Sequence, residues 1–140
     1  MRCLRFAVLL AGAALAVAAC TTSAATKSVS ATLTEFKIGL STTKVAAGEV
    51  TFSIGNKGSV AHEFVIVRTD LSADALPTNG DGEVEEDGDG IAVVDEAEDI
   101  APGSAATLTL SLGPGKYAAL CNLPGHYLGG MHGGFEVVPG

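Results

Sequence analysis

The sequence predicts an all-β fold, a Greek-key antiparallel β-sandwich of about seven short strands. Three observations carry that expectation. Short stretches alternate apolar and polar residues with a period of two, Gly- and Pro-containing turns separate them, and no stretch beyond the N-terminal leader keeps the apolar spacing of a long helix. Composition agrees: the chain has 140 residues, 18 Gly and no Trp, which suits one small β domain better than a helical protein.

The first segment lies outside that domain. Arg2 and Arg5 precede an apolar run that ends in small residues, the form of an export signal over residues 1–19. Its ending, Val17-Ala18-Ala19-Cys20, resembles the lipobox of bacterial lipoproteins, in which the Cys is lipidated and becomes the mature N-terminus. A soluble export signal and an uncleaved anchor are the competing readings. Residues 20–31 are small and polar without periodicity and are expected to form a flexible tether. The folded domain is expected over 32–140, with an acidic insertion near 80–100. The expected location is the cell envelope, with the domain in the periplasm or extracellular space.

Within the domain, Thr32 to Ile38 alternates as a first strand, with Thr34, Phe36 and Ile38 on one face. Ser41 to Val45 reads as a strand, Ala47-Gly48 as a turn, and the next strand places Val50, Phe52 and Ile54 inward. Val60 to Arg68 is rich in β-branched and aromatic residues, with His62, Phe64 and Ile66 on one face. Asp70 to Gly103 is irregular, with one helical turn expected around Ser72 to Leu76. Ala105 to Leu112 and Lys116 to Cys121 read as two strands of a hairpin joined by Gly113-Pro114-Gly115, and Phe135 to Val138 as the last strand.

Ten of the sixteen acidic residues fall between Asp81 and Asp99, so that segment reads as a solvated excursion. Glu85, Asp87, Asp89, Gly90 and Glu96 also fall at positions of an EF-hand-like calcium loop, although Glu stands where a short Asp is preferred and the flanks are not helical.

The chemistry concentrates between Leu120 and Val138. Cys121, His126 and Met131 are spaced C-x4-H-x4-M, and a thiolate, an imidazole and a thioether together suit copper better than magnesium or calcium. A type 1 copper centre uses two His and one Cys in plane with a weak axial Met, so a second imidazole is required. His62, in His62-Glu-Phe-Val-Ile-Val, supplies it. Cysteine use is consistent with this assignment: Cys3 leaves with the signal and lipid takes Cys20, so Cys121 has no disulfide partner in an oxidising compartment. His132, next to Met131, reads as exposed and outside the ligand set.

On these two segments the chain resembles the small cupredoxins, the type 1 copper family that includes plastocyanin, azurin and auracyanin. The resemblance implies one bound copper ion held by His62, Cys121, His126 and Met131, with the C-terminal ligand loop joining the last two strands. It also implies that His126 lies near the surface, within an apolar rim of Leu123, Pro124, Tyr127 and Leu128. The expected function is single-electron transfer between redox partners, with a cytochrome as a candidate partner, by a membrane-tethered monomer. A copper storage or delivery protein with the same ligands is the alternative. An enzyme is not expected, because the chain has only three His and neither Leu120 nor Asn122 beside Cys121 is a His that would relay electrons to a second copper. Loss of Arg2 and Arg5 with the signal takes the formal charge from −8 to −10, which excludes nucleic acid as a partner.

Overall fold

The computed structural model of the chain describes residues 27–140. The segment read as a signal, the expected lipidation site Cys20 and most of the expected tether lie outside the described residues. Nine strands form two sheets: β1 (Ser28–Thr34), β2 (Lys37–Leu40), β3 (Lys44–Ala46), β4 (Gly48–Asn56), β5 (His62–Arg68), β6 (Ala92–Ile100), β7 (Ala105–Leu112), β8 (Gly115–Leu120) and β9 (His132–Val138). One sheet has the order β2-β1-β4-β7 and the other β3-β9-β8-β5-β6. The all-β sandwich is as the sequence predicts, with nine strands where about seven were expected.

The inner faces follow the period of two. Val29, Ala31 and Leu33 of β1 and Val50, Phe52 and Ile54 of β4 point inward and meet Phe64 and Ile66 of β5, Tyr117 of β8, and Phe135 and Val137 of β9. Phe52 lies at the centre, 5.7 Å from the Phe64 ring and 5.6 Å edge-on from the Phe135 ring. Each such aromatic contributes roughly 1.5–3 kcal/mol by leaving water.

Several local expectations change. The first strand begins at Ser28, inside the segment read as tether, and ends at Thr34. Phe36 does not point inward; it sits in the β1–β2 turn at φ 62° and is 60% exposed. A hairpin turn needs a left-handed residue, and that requirement overrides the apolar alternation. The Gly113-Pro114-Gly115 turn does not close a hairpin, because β7 pairs with β4 in one sheet while β8 pairs with β5 and β9 in the other. The connection crosses between sheets, with short range in sequence but no pairing across it. Two pairs are parallel, β1 with β4 and β3 with β9, so the sandwich is not purely antiparallel.

The irregular segment also differs from expectation. Residues 92–100 form an edge strand paired antiparallel to β5, with register shifts on either side of Phe64 and Ile66. Around Ser72 there is a single turn closed by Ala75 N–H on Ser72 O, and no helix. The excursion between β5 and β6 folds back over the outer face of the second sheet. There Leu76, Val84 and Tyr127 bury Val65, Val67, Ala118 and Leu120 in a second small core. Both faces of β5 are therefore buried, which explains its continuous apolar run.

Candidate metal centre

The ligand loop joins β8 to β9. Cys121 follows β8 directly, Met131 precedes β9 directly, and the pairing of Leu120 with His132 makes 121–131 the loop between two antiparallel neighbours. Cys121 N–H donates to Met131 O at 3.1 Å and closes the neck. Inside it, His126 N–H bonds Leu123 O, Gly129 N–H bonds Gly125 O, Gly130 N–H bonds Tyr127 O, and Met131 N–H bonds His126 O. Gly125 takes φ 74°, which a side chain would resist, and so permits the reversal that aims His126 back at Cys121.

His62 arrives from the other direction, as the first residue of β5. The loop before it is fixed by two side chains that sequence reasoning did not single out. Asn56, fully buried, donates to Val60 O at 2.8 Å and Ile100 O at 2.7 Å and accepts from Gly58 N–H. Glu35, from the β1–β2 turn, accepts the backbone N–H groups of Ser59 and Val60 and the Ser59 hydroxyl. Those bonds, led by the Ser59 N–H, hold the Glu35 carboxyl down to about 2. The only sequence cue to Asn56 was its place at the end of an alternating strand. Glu35 carried no cue, because its partners are 24 and 25 residues away.

His62, Cys121 and His126 bring one donor atom each to within 4.8 Å of one another, the only such His, Cys or acidic group among the described residues. His62 Nδ1 is 3.3 Å from His126 Nδ1, Cys121 Sγ is 3.3 Å from His126 Nδ1, and Cys121 Sγ is 4.0 Å from His62 Nδ1. These separations fit a bound metal. Metal–nitrogen bonds of about 2.0–2.1 Å and a metal–sulfur bond of about 2.3 Å, spread trigonally, separate the nitrogens by about 3.6 Å and each nitrogen from sulfur by about 3.8 Å. Met131 is fully buried in the core cluster that also holds Cys121. His132 is half-buried rather than exposed, 5.2 Å from the Tyr127 ring, and is not part of the donor cluster.

Burial tunes the donors. It pushes the Cys121 thiol above its ordinary value, against the backbone N–H groups of Glu63 and Leu123, which favour the thiolate. The Glu63 N–H lies 3.4 Å from Sγ. A metal that takes this sulfur therefore displaces its proton, and the two N–H groups then draw charge from the thiolate. Burial, reinforced by His126, pushes His62 below its ordinary value, so a neutral imidazole is available for ligation.

The rim is only partly the expected one. Pro124 is exposed, Leu123 and His126 are half-buried, and Leu128 is 65% exposed. Tyr127 turns inward instead: its hydroxyl donates to Ala73 O at 2.9 Å and accepts Leu76 N–H at 2.8 Å, which ties the loop to the excursion. Phe36 takes the vacated role, with its ring against Gly129, where a Cβ would collide with it. Asn122 makes a second tie, accepting Val84 N–H at 2.6 Å and donating to Val84 O and Glu86. The acidic residues of the excursion do not converge as the calcium pattern requires: Glu96 lies within β6 opposite Val65, and the acids form no donor cluster. Their field does reach the site's flank. Glu63 is pushed above its ordinary value by burial first, and further by Glu96, Glu86 and Glu98.

Residues 7–132 match the family described as Cupredoxin-like domain. The structure is similar to reduced auracyanin from the photosynthetic bacterium Roseiflexus castenholzii, with 25% identity over 82% of this chain and 99% of that one and a TM-score of 0.59. It is also similar to auracyanin B, with 24% identity over 80% and 88% of the two chains and a TM-score of 0.56. Rusticyanin from Thiobacillus ferrooxidans shares the fold at 17% identity, covering 81% and 79% with a TM-score of 0.56. No curated protein matches the chain. With this match over most of its length and two sheets that bring His62 to the Cys121–Met131 loop, the chain belongs to the cupredoxin-like family.

Proposed function

We propose that this chain is a mononuclear type 1 copper protein that carries single electrons between redox partners at the cell envelope. The observation that carries the reading is the preformed triangle of one thiol and two imidazole nitrogens, held by hydrogen-bonded backbone at one end of a rigid sandwich. Copper, when bound, supplies the one-electron chemistry. His62, Cys121 and His126 would hold it, and Met131 would add only a weak thioether donor, whose weakness leaves copper(I) accessible.

The chain's own residues supply the rest. The bonded neck at Cys121 and Met131 limits ligand movement between oxidation states, which keeps the structural cost of each transfer small. His126 is the half-buried ligand, and the exposed Pro124 and Leu128 of its loop, with the exposed Phe36 against Gly129, suit a brief apolar encounter. The acidic excursion suits a cationic partner such as a cytochrome, through steering that salt would weaken. Lipidation at Cys20 would keep a monomeric carrier at the membrane, and the scarcity of His argues for a carrier rather than an enzyme. A rigid, largely buried donor set also favours a resident ion over a cargo ion, so slow copper(I) exchange with a chelator is expected of a carrier.

The test is the purified protein loaded with copper(II). Intense visible absorption from thiolate-to-copper charge transfer is expected in the wild type and absent in Cys121→Ser, with the far-ultraviolet circular dichroism unchanged. A copper-loaded wild type without colour would overturn the assignment. Retention of palmitate label, lost in Cys20→Ala, tests the anchor.

A further inference from the structure

The His62 ring is fully buried, and its Nε2 is the one buried side-chain nitrogen or oxygen among the described residues with no hydrogen-bond partner. The acceptor facing it is Glu35 Oε1, at 4.0 Å. Gly58 keeps the gap between them open: a Cβ there would lie 2.6 Å from Glu35 Oε1 and 2.9 Å from His62 Nε2. The donor cluster uses the other nitrogen, Nδ1. An imidazole that ligates through Nδ1 carries its proton on Nε2, and a buried N–H without an acceptor is left with its desolvation uncompensated.

We propose that Glu35 is a positioning residue for the metal site, its carboxylate accepting the Nε2–H of His62 when Nδ1 holds the metal. The inference rests on the copper reading above. Closing the bond requires an approach of about 1 Å, to the usual N–H···O separation. Glu35 is well placed to make it, being carried on the exposed β1–β2 turn and already bonded to the loop that precedes His62. The same carboxylate therefore holds that loop and orients the ring. A carboxylate on the outer nitrogen makes the imidazole a stronger donor, which favours copper(II) over copper(I) and lowers the potential.

The experiment compares wild type, Glu35→Gln and Glu35→Asp in the copper-loaded protein. It reads the reduction potential and, in the diamagnetic copper(I) form, the exchange rate of the His62 Nε2 proton by nitrogen-15 NMR. In the wild type that proton is expected to exchange slowly. Glu35→Gln keeps an acceptor but removes the charge: the proton stays protected, and the ratio of copper(II) to copper(I) affinity falls about tenfold, a rise of about 59 mV for one electron. Glu35→Asp keeps the charge but loses the reach: exchange quickens at least about tenfold and the potential also rises. Wild-type potential and exchange in Glu35→Asp would overturn the proposal, leaving at most a through-space charge effect, as would an unshifted potential in Glu35→Gln. If Glu35→Gln does not fold, Glu35→Asp decides alone. A wild type that takes up no copper overturns the proposed function instead.

Discussion

Asn122 is the residue whose removal should show how the excursion supports the ligand loop. Its side chain makes three hydrogen bonds, two to the backbone of Val84 and one to the Glu86 carboxylate. Val84 is only 3% exposed, so truncation leaves its N–H and C=O without partners and largely out of water. Each of those two bonds is worth about 1 kcal/mol net, and the exposed bond to Glu86 adds less, so Asn122→Ala should cost about 2–3 kcal/mol. For a domain of this size that lowers the unfolding midpoint by roughly 8–12 °C. The assay is thermal unfolding of the metal-free protein followed by circular dichroism, because a bound metal would add stability by mass action. Asn122→Asp keeps the acceptor for Val84 N–H but loses both donors and faces Glu86, so it should lose at least as much. A midpoint for Asn122→Ala within about 2 °C of wild type would refute the reasoning, since the excursion would then be held by its apolar contacts alone.

Three further outcomes are expected. Met131→Leu conserves volume in a buried site and should cost less than about 1.5 kcal/mol in chemical denaturation; the visible absorption should persist while the reduction potential rises, because a donor to copper(II) is lost. Glu63→Gln should stabilise the metal-free protein slightly at neutral pH, because burial and the neighbouring acids disfavour the carboxylate. Because the folded-state value of Glu63 is raised, its favourable contribution is complete below the ordinary 4.5 and is lost as pH rises through the folded value, so the two melting curves should converge below pH 4.5. Phe36→Gly relieves a left-handed residue while removing an exposed ring, so stability should stay within about 1 kcal/mol of wild type; electron self-exchange measured by NMR line broadening should slow, since the ring lies against Gly129 of the ligand loop.

The legible parts of this protein are those whose signal is local. Cys121, His126 and Met131 lie within eleven residues, and their donor types alone pointed to a soft metal. The alternation of Val50, Phe52 and Ile54 predicted an inward face that the structure shows. His62 was legible only through the need for a second imidazole. The strand over 92–100 was not legible, because an edge strand with acids on its exposed positions keeps no apolar period. The excursion's second core was also hidden, since Leu76, Val84 and Tyr127 are isolated apolar residues until the chain folds back over β5.

The sequence by itself determined which donors exist, that a β framework rather than helices carries them, and that the charge is strongly acidic. Only the tertiary structure decided which sheet each strand joins, that Gly113 to Gly115 crosses between sheets, and that Phe36 rather than Tyr127 borders the site. It also placed Glu35, Asn56 and Asn122 as the side chains that hold the two ligand segments. The physical reason is range. Period and spacing report which face a residue prefers within its own segment, whereas pairing and hydrogen bonds across 24 to 54 residues are selected by the packing of the whole sandwich.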